Sequence, residues 1–206
     1  MIQFSGQLVA VKLNAEKEGR ALAQKYRVSG FPTVLYLDSE GIEWGRMPGF
    51  LASGPFIEYA QGALKTAREQ PLLEAKLQQN PGNAALAIDL TQRFARQGNT
   101  KKALWAGNLV MKAPQSAAAG RAYVVLGGMY FDKQSPAEAQ PWFARSLKVS
   151  TDPRDKAYGH LGLAMCAVAR QDAKVARAEL NTVLKIPNCP SGIIEKAREL
   201  LQQVPP

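Results

Sequence analysis

The chain has 206 residues, 46% of them hydrophobic and 21% charged, a balance that suits one large or two small globular cores. No apolar run approaches the ~20 residues that cross a bilayer, and "MIQFSGQLVAVKLNAEKEG" lacks the basic start, apolar stretch and cleavage site of a secretory leader. A soluble, cytoplasmic chain with no membrane partner is expected, or a periplasmic or secreted one if its natural start lies upstream of Met1. Two cysteines, Cys166 and Cys189, are separated by 22 residues and form neither a CxxC pair nor a zinc-ligand cluster; with His160 as the lone histidine, no metal and no cofactor are expected. The net charge of +9 is uneven: residues 1 to 70 hold 8 Lys/Arg against 7 Asp/Glu, and residues 71 to 206 hold 18 against 10. The basic residues are scattered along the second part without interleaved aromatics, which reads as solvated helix faces and argues against a nucleic-acid partner.

In chain order, "QLVAVKL" from Gln7 to Leu13 predicts a strand buried on both faces. Asn14 then caps a helix in "NAEKEGRALAQKYRVSG", with Glu16 and Glu18 in its first turn, an apolar stripe of Leu22, Ala23 and Tyr26, and Gly30 just past its end. "TVLYLD" and "IEWGRMPG" predict a hairpin around the turn from Asp38 to Gly41. "GPFIEYAQGALKTAREQ" predicts an amphipathic helix with Pro55 in its first turn.

After Gln70 the apolar period is helical throughout. "RQGNTKKAL", "DKQSPAEAQ" and "ARQDAKVAR" align on Ala103, Ala139 and Ala176, at spacings of 36 and 37 residues. Pro114, Pro153 and Pro187 close the three units, "PLLEAKLQQNPGN" precedes them as a linker helix, and "PSGIIEKARELLQQV" follows as a cap.

Two resemblances sharpen these elements. "VSGFPT" followed by "YLDSEGIEWGRMPGF" resembles the second half of a thioredoxin domain, from its third strand to its last helix, over about 65 residues. By that resemblance Phe31-Pro32 is a cis bond facing the family's cysteine pair, and the residue before the proline offers its backbone to an extended peptide. The family's first two strands and CxxC loop have no counterpart, which leaves strand edges open to re-pairing, to a partner strand or to self-association. The second part, with a period close to the 34 of that family, resembles tetratricopeptide repeats: Leu90 and Phe94 fill signature places in the first unit, Tyr123, Leu126, Gly127, Tyr130 and Phe143 in the second, and Leu163 and Leu180 in the third. The fold class expected is therefore α+β, a truncated thioredoxin-like α/β unit followed by an all-α tetratricopeptide solenoid. Its expected boundaries are a partial thioredoxin-like domain at 1–69, a linker helix at 70–83, three repeats at 84–189 and a capping helix at 190–206.

No catalytic residue is expected. Cys166, in "LGLAMCAVA", falls on a buried helix face where desolvation keeps a thiol neutral, His160 reads as a packed helix residue, and Cys189, in "IPNCPSG" near Lys185, is a loop thiol with or without a redox role. The repeat resemblance implies a groove lined by Ala85, Ile88, Gln92 and Arg96, by Arg121, Val124, Gly128 and Phe131, and by Tyr158, Leu161, Met165 and Val168. Ile88, Val124 and Leu161 stand where carboxylate-gripping members carry Lys, Asn or Arg, so the groove suits an apolar helix or an unfolded segment. The peptide-binding set is Phe31, Pro32, Gln92, Arg96, Arg121, Phe131, Tyr158 and Met165. The function implied is a non-catalytic protein-binding module, a scaffold or a holding chaperone for an unfolded polypeptide client. The alternative is a thiol-disulfide oxidoreductase whose CxxC half lies upstream of Met1.

Overall fold

The computed structural model describes Gly6, residues 8–112 and residues 116–205. It is an α+β protein, mostly helical with one two-stranded sheet among the described residues, and it divides into two compact units, Met1–Leu72 and Leu73–Pro206.

The first unit contains helix α1 (Arg20–Lys25), strands β1 (Thr33–Leu37) and β2 (Glu43–Pro48), and the start of helix α2 (Ser53–Gln79). The strands pair antiparallel with Thr33 opposite Pro48 and Leu35 opposite Arg46, and a bulge falls between Tyr36 and Leu37. Their connection is built by one side chain. The Asp38 carboxylate accepts the backbone N–H groups of Glu40 and Ile42 at 2.9 and 2.8 Å and the Trp44 indole N–H at 2.9 Å, while Gly41 takes the left-handed backbone (φ 75°) that the turn requires. Asp38→Ala removes the acceptor of all three hydrogen bonds and should destabilise this unit by ~2 kcal/mol. The Glu40 and Ile42 amides would then exchange with solvent deuterium faster than in the parent, and unchanged exchange would show that the turn holds without Asp38. Tyr36, Ala60 and Ala63 form the small core, with Leu8 and Val34 against it. The Tyr59 hydroxyl fastens α2 to β2, donating to the Arg46 carbonyl at 2.6 Å and accepting from the Arg46 N–H at 3.1 Å.

Three expectations fail in this unit. Leu8 to Leu13 is not a strand: Val9 is 94% exposed and Val11 71%, and β1 and β2 pair only with each other among the described residues. A strand needs a ladder partner, and apolar residues alone do not supply one. Gln7 lies outside the described residues. The helix expected from Asn14 starts only at Arg20, because Asn14, Glu16 and Glu18 close a local turn first. The Asn14 side chain accepts from the Glu16 N–H, the Glu18 carboxylate accepts from the Asn14 N–H, and the chain closes a turn on Gly19, where a Cβ would sit 2.9 Å from the Asn14 carbonyl oxygen. The boundary expected at 69/70 falls inside α2, which runs unbroken through Pro71, so there is no separate linker helix at 70–83 and the compact units divide at Leu72/Leu73.

The second unit holds the end of α2 and seven further helices: α3 (Ala84–Arg96), α4 (Thr100–Met111), α5 (Ala117–Asp132), α6 (Pro136–Val149), α7 (Pro153–Ala169), α8 (Ala173–Leu184) and α9 (Ser191–Gln203). They pack as consecutive pairs, α3 with α4, α5 with α6 and α7 with α8; α3, α5 and α7 also pack in succession, and α9 lies on α8. Pro153 opens α7 and Pro187 lies between α8 and α9, whereas Pro114 is outside the described residues.

Each pair is folded by the same joint. Gly98, Gln134 and Gln171 take left-handed backbone (φ 69°, 60° and 61°) just past the first helix of each pair. The next residues, Asn99, Ser135 and Asp172, send their N–H back to the carbonyls of Phe94, Tyr130 and Ala167 at 2.9, 3.1 and 2.9 Å, which satisfies the end of one helix. The same residues open the next helix, with the Asn99 and Asp172 side chains accepting from the Lys102 and Val175 N–H groups at 3.1 Å each. Four residues further on, Ala103, Ala139 and Ala176 are fully buried, so each second helix starts with a small side chain against its partner.

Three clusters fill this unit. Leu77, Leu90, Phe94, Val110, Leu126 and Met129 lead the first, and Leu161, Leu180, Val183, Ile193 and Ala197 lead the last. Between them Ala139, Phe143 and Cys166 join α5, α6 and α7. Phe143 fits there because two glycines make room: a Cβ on Gly127 would lie 2.7 Å from its ring, and one on Gly162 would be closer still.

Candidate functional site

The first helices of the pairs, α3, α5 and α7, carry the residues expected to line a groove. Their neighbours decide how much side chain remains available. Ile88, Gln92, Val124, Gly128, Phe131, Tyr158 and Met165 are half-buried, Ala85 and Arg96 are exposed, and Val168 is 42% exposed. Leu161 is the exception: it is buried in the α7–α9 cluster and serves packing, not contact with a ligand.

The site residues fall into separate groups. Phe131 leans on the Ala139, Phe143 and Cys166 cluster, while Tyr158 and Met165 pack at the edge of the α7–α9 cluster. The Arg154 guanidinium lies 5.9 Å from the centre of the Tyr158 ring, a cation–π contact that leaves part of the phenol toward solvent. Gln92 and Arg96 belong to α3, and Phe31 and Pro32 belong to the first unit. There the Phe31-Pro32 bond is cis, as the sequence resemblance implies, and the Gly49 N–H donates to the Pro32 carbonyl at 2.7 Å. Phe31 is 66% exposed, and across the hairpin end Phe50 is 87% exposed, an apolar companion that the short run "GFL" signalled and the site prediction left out.

Arg121 is already engaged. Its Nε donates to the carboxylate of Asp155, in the first turn of α7, and Asp155 is almost wholly buried. Burial pushes the Asp155 carboxyl above its ordinary range, and the hydrogen bond and charge of Arg121 offset only part of that. Arg121 therefore neutralises a buried acid first, and its guanidinium is a weaker handle for a peptide than Arg96. Asp155 escaped the sequence reading because its partner lies 34 residues away and no motif links them.

No protein-family model matches this chain, and no curated protein does. The chemistry must be read from the groups themselves. Burial raises the pKa of both thiols, fully buried Cys166 and half-buried Cys189, so both are held in the neutral form that neither attacks disulfides nor binds metals well. The His160 Nδ1 sits 2.6 Å from a Glu179 oxygen, which ties α7 to α8 as a helix-to-helix polar contact. Among the described residues no three His, Cys, Asp or Glu gather in a metal-holding group, and no helix is long and apolar enough to cross a membrane. What the faces of α3, α5 and α7 offer is half-exposed apolar and aromatic surface bordered by Arg96, which can take apolar side chains of another polypeptide.

Proposed function

We propose that this chain is a non-catalytic protein-binding module, in which a thioredoxin-like unit precedes a tetratricopeptide-type helical array that holds a protein or an unfolding client. The observation that carries the reading is the half-exposure of Phe131, Tyr158 and Met165 on the first helices of consecutive pairs. Side chains of these types favour adaptable contact with varied apolar segments. The joints repeated at 36 and 37 residues support the repeat reading, and the exposed Phe31 and Phe50 beside the hairpin give the first unit an apolar face of its own. Among the described residues the outer edges of β1 and β2 have no strand partner, which suits strand addition by a partner or a second copy.

The test uses reduced, carboxymethylated lactalbumin, a permanently unfolded chain, titrated by calorimetry at two salt concentrations. Phe131→Ala with Tyr158→Ala should weaken binding by a factor of ten or more, since aromatic anchors cost ~2 kcal/mol or more when truncated. Neutralising exposed Lys101 and Lys174 should change it by about twofold or less. Lys102 is unsuitable for that arm, because it pairs with Glu74 at 2.9 Å. Dominance of the lysine pair, with binding that collapses as salt rises, would replace the apolar groove with a charge-driven surface.

A further inference from the structure

One cleft shares no residue with the expected groove. Where α4, α5 and α6 meet, a cleft of about 520 Å³ is walled by Trp105, Leu109, Tyr123 and Trp142 and edged by Lys112 and Arg145. All four walls are half-buried, so they present apolar surface to the cleft instead of closing over it. The aromatic set is held in place: Trp142 lies 6.0 Å from Tyr123 and is stacked on Tyr130 at 5.8 Å, with the Arg145 guanidinium 5.8 Å from its ring centre. Both cations are exposed, and among the described residues no carboxylate lines the cleft and neither Lys112 nor Arg145 takes part in an ion pair.

We infer that this cleft binds an acidic peptide segment that inserts one aromatic or large aliphatic side chain between Trp105, Tyr123 and Trp142 while its carboxylates meet Lys112 and Arg145. The volume falls within the ~300–1,000 Å³ typical of ligand sites, and apolar walls with two convergent cations match an apolar group flanked by negative charge. An extended peptide fits better than a nucleic acid. Two cations do not make the continuous phosphate track that a strand needs. The inference stands apart from the groove, so either can fail without the other.

The probe is the blocked pentapeptide Asp-Glu-Phe-Asp-Glu, titrated by calorimetry with tryptophan emission as a second readout, since Trp105 and Trp142 both line the cleft. Saturable binding is expected, with an emission change and a loss of affinity as salt rises. Replacing the peptide's Phe by Ala, or its acids by Lys, should cost at least tenfold. Arg145→Glu should also weaken binding tenfold or more, whereas Lys174→Glu, on α8, should change it less than twofold. Trp142→Leu should remove most of the emission change; if that variant fails to fold, Arg145→Glu, an exposed rim residue, carries the test. Absence of saturable binding, equal affinity for the Ala peptide, or indifference to Arg145→Glu would overturn the proposal. So would tighter binding of an oligothymidylate, or a dimer of this chain that Trp142→Leu dissolves while the peptide fails to bind.

Discussion

Phe143→Ala should lower the stability of the helical unit by ~3–5 kcal/mol, the largest loss expected from any single truncation here. The ring is only 5% exposed and belongs to the cluster that joins α5, α6 and α7, so removing it empties the contact that holds one helix pair to the next. The glycines on either side make the claim sharper. A methyl added at Gly127 or Gly162 would enter the space of the ring, which is buried and so has little room to retreat. Gly162→Ala should therefore cost ~1–3 kcal/mol by overpacking, although alanine is the better helix former by ~1 kcal/mol. The two effects must be coupled: in a Phe143→Leu background, where the ring is gone, the cost of Gly162→Ala should largely vanish. Urea unfolding followed by far-ultraviolet circular dichroism measures all four members of that cycle, and simple additivity would show that the ring does not sit against the glycines.

The second large effect concerns Arg121. Removing one member of a buried ion pair strands the other, and Arg121→Ala leaves the Asp155 carboxylate desolvated with its guanidinium gone, at a cost of ~2–4 kcal/mol near neutral pH. The pH dependence has a definite sign. The folded-state pKa of Asp155 is raised, so the folded protein binds its proton more readily than the unfolded chain does. Its unfavourable contribution is absent below the ordinary carboxylate value of 3.8, grows as pH rises through the interval up to the raised value, and is complete above it. Without Arg121 the pKa rises further, so the deficit of Arg121→Ala should shrink as pH falls toward 4. Asp155→Asn, which keeps the shape and removes the charge, should lose this pH dependence and tolerate Arg121→Ala better than the parent does. A deficit that grows in acid would mean that Arg121 does not favour the Asp155 carboxylate over its protonated form.

These two sites also mark how far the sequence could be read. The helix pairs were legible because their signals are local: apolar residues at helical spacing and an alanine that recurs at 36 and 37 residues, buried in each pair. The hairpin was legible for the same reason, since Asp38 and Gly41 build the turn by themselves. What failed depended on distant partners. The apolar run of residues 8–13 suggested a strand buried on both faces, but its ladder had to come from elsewhere. Pro71 suggested a helix start, yet α2 passes through it, because a single proline removes one N–H and leaves the other bonds of a long helix in place. Of the groove set, half-exposed Phe131, Tyr158 and Met165 remain placed for contact, whereas Arg121 and Leu161 are committed elsewhere by residues of other helices. The aromatic cleft had no sequence signature at all: Trp105, Tyr123 and Trp142 stand on three helices and converge only when these pack.

The three matching joints bear on how such a chain can change length. At each one a single residue ends one helix and begins the next, so adding one residue there would leave a carbonyl end and an amide end both unsatisfied. Moving a whole period does neither, because Gly98, Gln134 and Gln171 stand at equivalent places, 36 and 37 residues apart. A tandem duplication running from one joint to the next rejoins like to like, and every cap finds the partner it had before. Growth by copying is therefore conservative in this fold, while growth by small insertions at the joints is not. New segments of variable length are better tolerated between α6 and α7, where Ser150 ends one helix and a different residue, Asp152, begins the next.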